Sequence, residues 1–539
     1  DTYWIENSII DGNGCKITGL NLTNHTSGDL GLFSVIDNST IRDLVIENVV
    51  LNTTGATNVG ALAGRVISTT AESASFIENV QVVYSTANLG SSTYFGGLVA
   101  RLDNNSTMIN VGVSNLNLPS SNSTSYVGGL IGIINDGTLA QANITSSTIY
   151  GTLRVGGAVA ENYGTIDNLT GNVVVKYAQD NNDAYVAGIS ALNNGTISNS
   201  NMTLEMTIEQ TNRTLQVGGV SAINNGTILN VRMLGTGIAL NDVNIAQMYV
   251  GGIVATNNST INNAYNLMAT VGSYYEGKDF YVGGIAANNS TVNSSISQAI
   301  AGSDIYGNYV SGVVVNMANA SATVSQVLVA NFNPEGDLIS ENYITGDKFV
   351  AGICYNFTYG TITDIQAVSQ LYGQTNNTRT SLLVLEFPNT ATLRNATIDS
   401  TLNGYGTFYR ETWKDKTSEG TSDNYNIYAG TAASGRMESV VINTDRAGYY
   451  GKSYISAEFR GGQFNTSYNQ TGNYNNVKTV NSSEFNQSST FRGTHTLTAR
   501  VWGLFIPYNQ HYERELTFDF ANNVWTNRVG IILNFLTNV

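Results

Sequence analysis

Residues 216–230 read QVGGVSAINNGTILN. The stretch holds no acid, base or strong nucleophile, and its decisive property is that it recurs. Related copies begin at Phe95 (FGGLVARLDNNSTMIN), Val127 (VGGLIGIINDGTLAQ), Val155 (VGGAVAENYGTIDN), Val186 (VAGISALNNGTISN), Val250 (VGGIVATNNSTINN) and Val282 (VGGIAANNSTVNSS). Weaker copies begin at Val59, Val310 and Val350, and LGLFSVIDNSTIRDL from Leu30 opens the series. The second glycine or its replacement falls at Gly31, Ala61, Gly97, Gly129, Gly157, Gly188, Gly219, Gly252, Gly284, Gly312 and Gly352, in steps of 28 to 40 residues. Internal periodicity of this kind decides architecture before any single motif does.

A period near thirty, made of short Val, Ile, Thr and Tyr runs punctuated by Gly and Asn, suits one turn of a parallel β-solenoid with about three strands per coil. Helical repeats of this length need long 3.6-periodic stretches, which are absent. About eleven coils are expected; at roughly 4.8 Å per coil they build a rod on the order of 50 Å long. The Gly-Gly pair is expected where the backbone bends tightly or takes positive φ, with the aliphatic residues around it lining the core. NNGT reads as the next corner, where Asn and Gly tolerate left-handed backbone.

Over about residues 5 to 365 these repeats resemble the GLUG-type repeat proteins, a group of mostly secreted or surface-attached proteins. IDGNGCKITGLNL (10–22) looks like the opening strand of such repeats. The resemblance implies a right-handed parallel β-helix, here over residues 1–370, and carries no catalytic signature; a fold hosts many functions. One departure is that the family's third glycine survives at Gly64 and Gly132 but is alanine at Ala100, Ala160, Ala191, Ala222, Ala255 and Ala287. Alanine still fits a crowded corner, so the coil is expected to persist.

After about residue 375 the repeat fades. SLLVLEF, MESVVINT, SYISAEFRGG, THTLTARVWGLFI and ERELTFDF are strand-like runs between Gly, Asn and Ser turns. Their partial alternation predicts a second all-β domain over 375–539, an antiparallel β-sandwich with one wet face.

Charged residues make up only 12% of the chain, about half the usual share, and the net charge of −15 with a pI near 4.6 argues against nucleic acid or anionic membrane as partners. No apolar run approaches the roughly 18 residues that span a bilayer. The start at Asp1 fits a chain whose secretion signal has been removed, and an extracellular or cell-surface location is expected. The chain holds 26 Asn-x-Ser/Thr acceptors, about twice the number its 69 asparagines would give by chance, which supports export and N-glycosylation. The candidate acceptors are Asn21, Asn38, Asn52, Asn143, Asn168, Asn194, Asn225, Asn258, Asn289, Asn356, Asn395, Asn465 and Asn481.

Chemistry that would make an enzyme is thin. Asp136, Glu161 and Asp167 fall near corners without forming a repeating column, and His25, His495 and His511 lack the spacing of a metal site or a Ser/His/Asp arrangement. No phosphate-cradling glycine motif occurs, so no cofactor, metal or catalytic residue is expected. A column of Thr138, Thr165, Thr196, Thr227, Thr260, Thr291 and Thr361 reads as a structural ladder. Cys15 and Cys354 sit in the first and last recognisable coils; both read as core residues, with a bond between stacked subunits as the sharper alternative.

The repeats therefore build length and surface. The expected function is that of a non-enzymatic structural glycoprotein, the head-to-tail subunit of an extracellular filament, appendage or surface layer. A glycosylated adhesin is the alternative and a polysaccharide-active enzyme the lesser one. Candidate assembly strands are Tyr3, Trp4 and Ile5 at one end and Val529, Ile531, Ile532, Leu533 and Phe535 at the other, since an apolar edge strand invites pairing or donation.

Overall fold

The computed structural model describes residues 3–23, 27–70, 74–177, 183–209, 214–241, 247–273, 275–276, 278–332, 338–375, 378–386, 391–404, 407–408, 436–444, 458–471, 492–501, 510–519 and 524–527. Among them every regular element is a strand. The chain forms two compact units, the first built mainly from residues up to 288 and the second from 289 onward. The repeats of both form parallel β-solenoid of the right-handed type.

One sheet of the first unit shows how the repeat becomes a coil. Its rungs are Tyr3–Glu6, Phe33–Asp37, Ala63–Ile67, Val99–Leu102, Ile131–Ile134, Val159–Asn162, Ser190–Asn193, Ser221–Asn224, Val254–Asn257 and Ala286–Asn288, each parallel to the next. The second unit adds Val314–Met317, Cys354–Phe357 and Val384–Glu386 in the same manner. Each of the eleven repeats supplies one of these rungs. Tyr3–Glu6 precedes the first repeat and Val384–Glu386 follows the last.

The valine before each glycine pair stacks on its counterpart, Val127 on Val155, Val186, Val217, Val250 and Val282 in turn. All six are fully buried, as are Ile253, Val220 and Ile189 after the pair. Long strands keep the same logic: Thr196–Glu209 alternates buried and exposed residues along most of its length. The alanines replacing the third glycine, such as Ala222 and Ala255, are fully buried within the coil.

The glycine pair is explained by close approach alone. Neither Gly251 nor Gly252 has positive φ. A Cβ on Gly251 would overlap the Val254 carbonyl of its own coil, and one on Gly252 would overlap the Gly284 carbonyl of the next. Gly226 of NNGT is held in the same way, against the Gly195 carbonyl. A left-handed column lies instead three positions past the threonine register, which Phe76 and Ser295 fill in two coils: Asp43, Asn79, Asn110, Gln141, Asn168, Asn199, Asn230 and Asn263 in the first unit, and Gln298, Gln326, Asp364 and Asn395 in the second, all with φ between 49° and 57°. Short amide side chains tolerate this region best. They also bond along the stack, with Asn230 Nδ2 donating to Asn199 Oδ1 at 3.0 Å and Asn263 Nδ2 to Asn230 Oδ1 at 2.7 Å.

The two asparagines of NNGT do opposite things. The first turns inward: Asn162 Nδ2 donates to Asn193 Oδ1, Asn193 Nδ2 to Asn224 Oδ1 and Asn224 Nδ2 to Asn257 Oδ1, at 2.8, 2.8 and 2.9 Å. All four are fully buried. Each of the first three also donates to the carbonyl of a threonine in the next coil, Thr196, Thr227 or Thr260. The second asparagine faces out, where Asn225 Nδ2 reaches Asn194 Oδ1 and Asn258 Nδ2 reaches Asn225 Oδ1, both at 2.7 Å.

Parallel pairing runs past the expected boundary near residue 375. Residues 381–386 of SLLVLEF, read above as sandwich, instead lie in the next coil, with Ala351 opposite Ser381 and Cys354 opposite Val384. The cause is a replaced motif: Ser381 and Leu382 stand where the earlier coils carry the glycine pair, while Leu382, Leu383 and Val384 stay fully buried. MESVVINT likewise lies in parallel strands, Arg436–Thr444 pairing with Ala391–Asp399 and Glu458–Thr471. Among the described residues, antiparallel pairing joins Asn331–Phe332 to Leu338–Ser340 and, beyond residue 375, Arg492–Val501 to Gln510–Asp519 and the latter to Val524–Asn527.

Neighbouring asparagines give a sharp test of this register. Asn224→Ala leaves partners in two adjacent coils unsatisfied in the interior and should cost about 3 kcal/mol, whereas Asn225→Ala should cost under about 1 kcal/mol. Denaturant midpoints of the two variants measure the difference; equal losses would mean that the faces are assigned wrongly.

Candidate functional site

The residue before each buried valine points outward and stacks in register: Tyr94, Tyr126, Arg154, Tyr185, Gln216, Tyr249 and Tyr281. Every one carries a planar group, and every one is half-buried. Ring centroids lie 4.7 Å apart for Tyr94 and Tyr126 and 5.2 Å apart for Tyr249 and Tyr281, and the Arg154 guanidinium lies 3.6 Å from the Tyr185 centroid. Such stacks add to burial through ring and cation–π attraction. The second unit has its own version, in which Tyr309 and Phe349 stack at 5.2 Å and Arg379 lies 5.4 Å from the Phe349 centroid.

A second outward column stands four residues after the second glycine: Arg101, Ile133, Glu161, Leu192, Ile223 and Thr256. The two columns face each other. Arg101 lies 5.5 Å from the Tyr94 centroid, Arg154 Nε is 3.5 Å from Glu161 Oε1, and Thr256 Oγ1 donates to Gln216 Oε1 at 2.7 Å. The glycine pair causes this convergence. At Gly128, Gly156 and Gly251 an outward Cβ would strike the carbonyl three residues on, so the chain bends toward its outer side and makes a concave corner. The two columns fill the stacked corners as one packed strip running across the coils, beneath which Ile131, Val159 and Val254 are fully buried.

Its electrostatic centre is Glu161, which is only 8% exposed. Desolvation raises its pKa above the usual carboxylate range, against the opposing influence of Arg154 and of a hydrogen bond from Tyr163 Oη at 3.4 Å. Burial also raises the Tyr94 pKa, with Tyr126 adding to it. The ion pairs are imperfect. Arg101 Nε and Arg154 Nε are buried and lack a hydrogen-bond acceptor, although carboxylates of Asp103 and Glu161 lie at 3.4 and 3.5 Å.

The residues singled out from sequence lie elsewhere. Asn21, Asn52, Asn143, Asn168, Asn225 and Asn395 are exposed, while Asn194, Asn258 and Asn356 are half-exposed. Asn38 and Asn289 are corrections. Asn38 is buried with its Nδ2 donating to Thr69 Oγ1 at 3.0 Å. Asn289 is fully buried and donates to the Thr323 carbonyl at 3.2 Å, because VGGIAANNST is one residue shorter before its asparagines and the second takes the inward place. The side chain of Asn465 and all of Asn481 lie outside the described residues.

The threonine column holds for Thr138, Thr165, Thr196, Thr227 and Thr260. Thr291 lies outside it, since in the second unit Ser295, Thr323 and Thr361 occupy that register. Cys15 is exposed, but Cys354 is fully buried, with burial raising its thiol pKa and its Sγ directed at the Val315 carbonyl, 3.6 Å away. A bond between subunits through Cys354 would require opening the core, so that pairing is withdrawn. Tyr3 and Trp4 are 68% and 58% exposed and Ile5 is half-buried. Val529, Ile531, Ile532, Leu533 and Phe535 lie outside the described residues.

A shallow depression of about 290 Å³ lies on another face, and Glu205 is the one ionisable residue lining it. Among the described residues no group of three or more His, Cys, Asp or Glu is arranged to hold a metal. No family model, curated protein or solved structure matches this chain.

Glu161 predicts a pH dependence with a definite sign. Because its folded pKa is raised, the folded state binds the proton more tightly than the unfolded chain does. Its contribution to stability therefore increases as pH falls through the raised value toward the reference 4.5. Glu161→Gln should remove that increase and leave stability above the window equal or higher; unfolding midpoints of both proteins between pH 4 and 7 (about the carboxylate range) measure it.

Proposed function

We propose that this chain is a non-enzymatic structural glycoprotein of the cell surface or extracellular space, akin to the GLUG-type repeat proteins, and that it assembles head-to-tail into a filament, appendage or surface layer. The observation that carries this reading is how the chain uses its polar groups. Buried amides, left-handed amides and outward asparagines are committed to coil-to-coil ladders. Glycans on exposed acceptors such as Asn52, Asn143 and Asn225 would hydrate a surface poor in charge. A sandwich-like region around the antiparallel strands from Arg492 onward completes the proposed organisation.

The first described coil leaves apolar side chains open to a further coil, of this chain or of a second copy. Ile5, Ile10 and Ile17 stack on Ile36, Ile41 and Ile46, which are fully buried, yet remain only half-covered themselves. Trp4 and Ile9 are 58% and 75% exposed. An uncovered coil of this kind is completed by another β-coil or strand. A glycosylated adhesin is the second reading, favoured by the half-exposed aromatic column.

Two measurements test the proposal. Intact mass of the native protein should exceed the bare 57.6 kDa and fall on deglycosylation; an unshifted mass removes the glycan part. Negative-stain images should show polymers that are lost in a Trp4→Arg/Ile9→Arg variant of unchanged melting temperature. Separate particles from the unaltered chain at high concentration would favour the adhesin.

A further inference from the structure

We infer that the outward corner column of the first unit carries N-linked glycan on no two neighbouring coils: Asn225 holds the sugar, and Asn194 and Asn258, one coil to either side, stay bare while it does. The inference rests on the glycoprotein reading and adds a rule of occupancy to it. Three observations lead there.

The first is spacing. Asn194, Asn225 and Asn258 each open an Asn-x-Ser/Thr acceptor, closed by Thr196, Thr227 and Thr260, which stand opposite one another on successive coils. Their side-chain amides touch, Asn225 Nδ2 donating to Asn194 Oδ1 and Asn258 Nδ2 to Asn225 Oδ1, both at 2.7 Å. Coils stand about 4.8 Å apart. A glycan is bulky, and a pyranose ring with its substituents and the sugars beyond it is broader than that gap. Two glycans rooted on neighbouring coils would therefore claim the same space.

The second is the chemistry of the ladder. A primary amide has two N–H groups and one carbonyl oxygen, and Asn225 commits one N–H and its oxygen to the ladder. Glycosylation replaces one Nδ2–H bond by an Nδ2–C1 bond as the C1–O bond of a phosphate-activated glycan donor breaks; the phosphate leaves with the electron pair and the proton passes to solvent. One N–H remains to hold the ladder. A single sugar thus leaves the file of amides intact, whereas a second on the next coil would force the coils apart.

The third is exposure. Asn225 is exposed, whereas Asn194 and Asn258 are half-exposed, and the Asn194 side chain also meets that of Tyr163 from the preceding coil. Asn225 is the best presented of the three. Directly before Asn258 stands a further acceptor, Asn257 with Ser259. It lies fully buried in the inward file, its Oδ1 accepting from Asn224 Nδ2 at 2.9 Å and its Nδ2 donating to the Ser259 carbonyl at 3.0 Å. A sugar there would have to enter the core, so Asn257 stays bare whichever coil is occupied.

Site-by-site mass analysis of intact glycopeptides, from the full chain made in a host that N-glycosylates, tests this. The expected result is sugar at Asn225, at least tenfold less at Asn194 and Asn258, and none at Asn257. Thr227→Val removes the Asn225 acceptor but keeps its amide in the column, and should raise occupancy of Asn194 or Asn258 at least tenfold. If that variant melts early, Asn225→Gln, which also keeps an amide there, takes its place. Comparable or greater sugar at either neighbour of Asn225, sugar on Asn257, or neighbours that stay bare once the Asn225 acceptor is gone overturns the inference. Sugar at Asn52 or Asn143 with none in the column overturns it and leaves the glycoprotein reading standing; a chain bare at every acceptor overturns both.

Discussion

At the corner before Ile253, and in the other coils that carry the full glycine pair, two carbonyls come so near the backbone that only hydrogen fits in the place of a side chain. One belongs to the same coil and the other to the next. This double contact fixes how sharply the chain turns and how closely coils stack, and the rest of the structure depends on it. With stacking distance set, Val217 must meet Val250, Asn224 must meet Asn257 and Tyr249 must meet Tyr281. A shift of one residue would bring every inward side chain to the outer face.

Identical neighbours suit some residue types far better than others. Stacked valines bury apolar surface without conflict. Stacked asparagines are each donor and acceptor at once, so a buried file such as Asn162, Asn193, Asn224 and Asn257 satisfies itself from one coil to the next. Stacked carboxylates would repel, which gives a physical reason for the low charge of the repeats. Glu161 is the instructive exception. It sits between Ile133 and Leu192 in its column, is paired sideways with Arg154, and still has a raised pKa because burial outweighs the pair.

Much of the coil was legible in sequence because the Val-Gly-Gly motif carries both its periodicity and its inward register. What escaped did so for definable reasons. Two adjacent asparagines in NNGT look alike, and only the bend between Asn224 and Thr227 sends one inward and one outward. The left-handed column changes identity among Asp43, Asn79, Gln141 and Gln326, so no motif marks it; its signal is a fixed offset from the threonine. The coil that includes Arg379–Ser381 and Val384–Glu386 was missed because Ser381 and Leu382 replace the glycine pair. The planar column was half visible, since aligning the repeats puts a planar residue before Phe95 and before each valine from Val127 to Val282, but the partnership of Tyr94 with Arg101 or of Arg154 with Glu161 exists only because the corner is concave.

The central claim is therefore the register of one coil on the next, and paired cysteines read it directly. In a Cys15→Ser background, Thr196→Cys and Thr227→Cys stand opposite each other on an outward column, about one interstrand spacing apart and within the roughly 4.4–6.8 Å range of a disulfide. Thr196→Cys with Leu229→Cys shares the face but is displaced by two residues, beyond about 7 Å. Mild oxidation should link the first pair nearly completely and the second hardly at all, as judged by mass analysis of the proteolysed protein. Efficient linkage of the displaced pair, or none in the aligned one, would contradict the account.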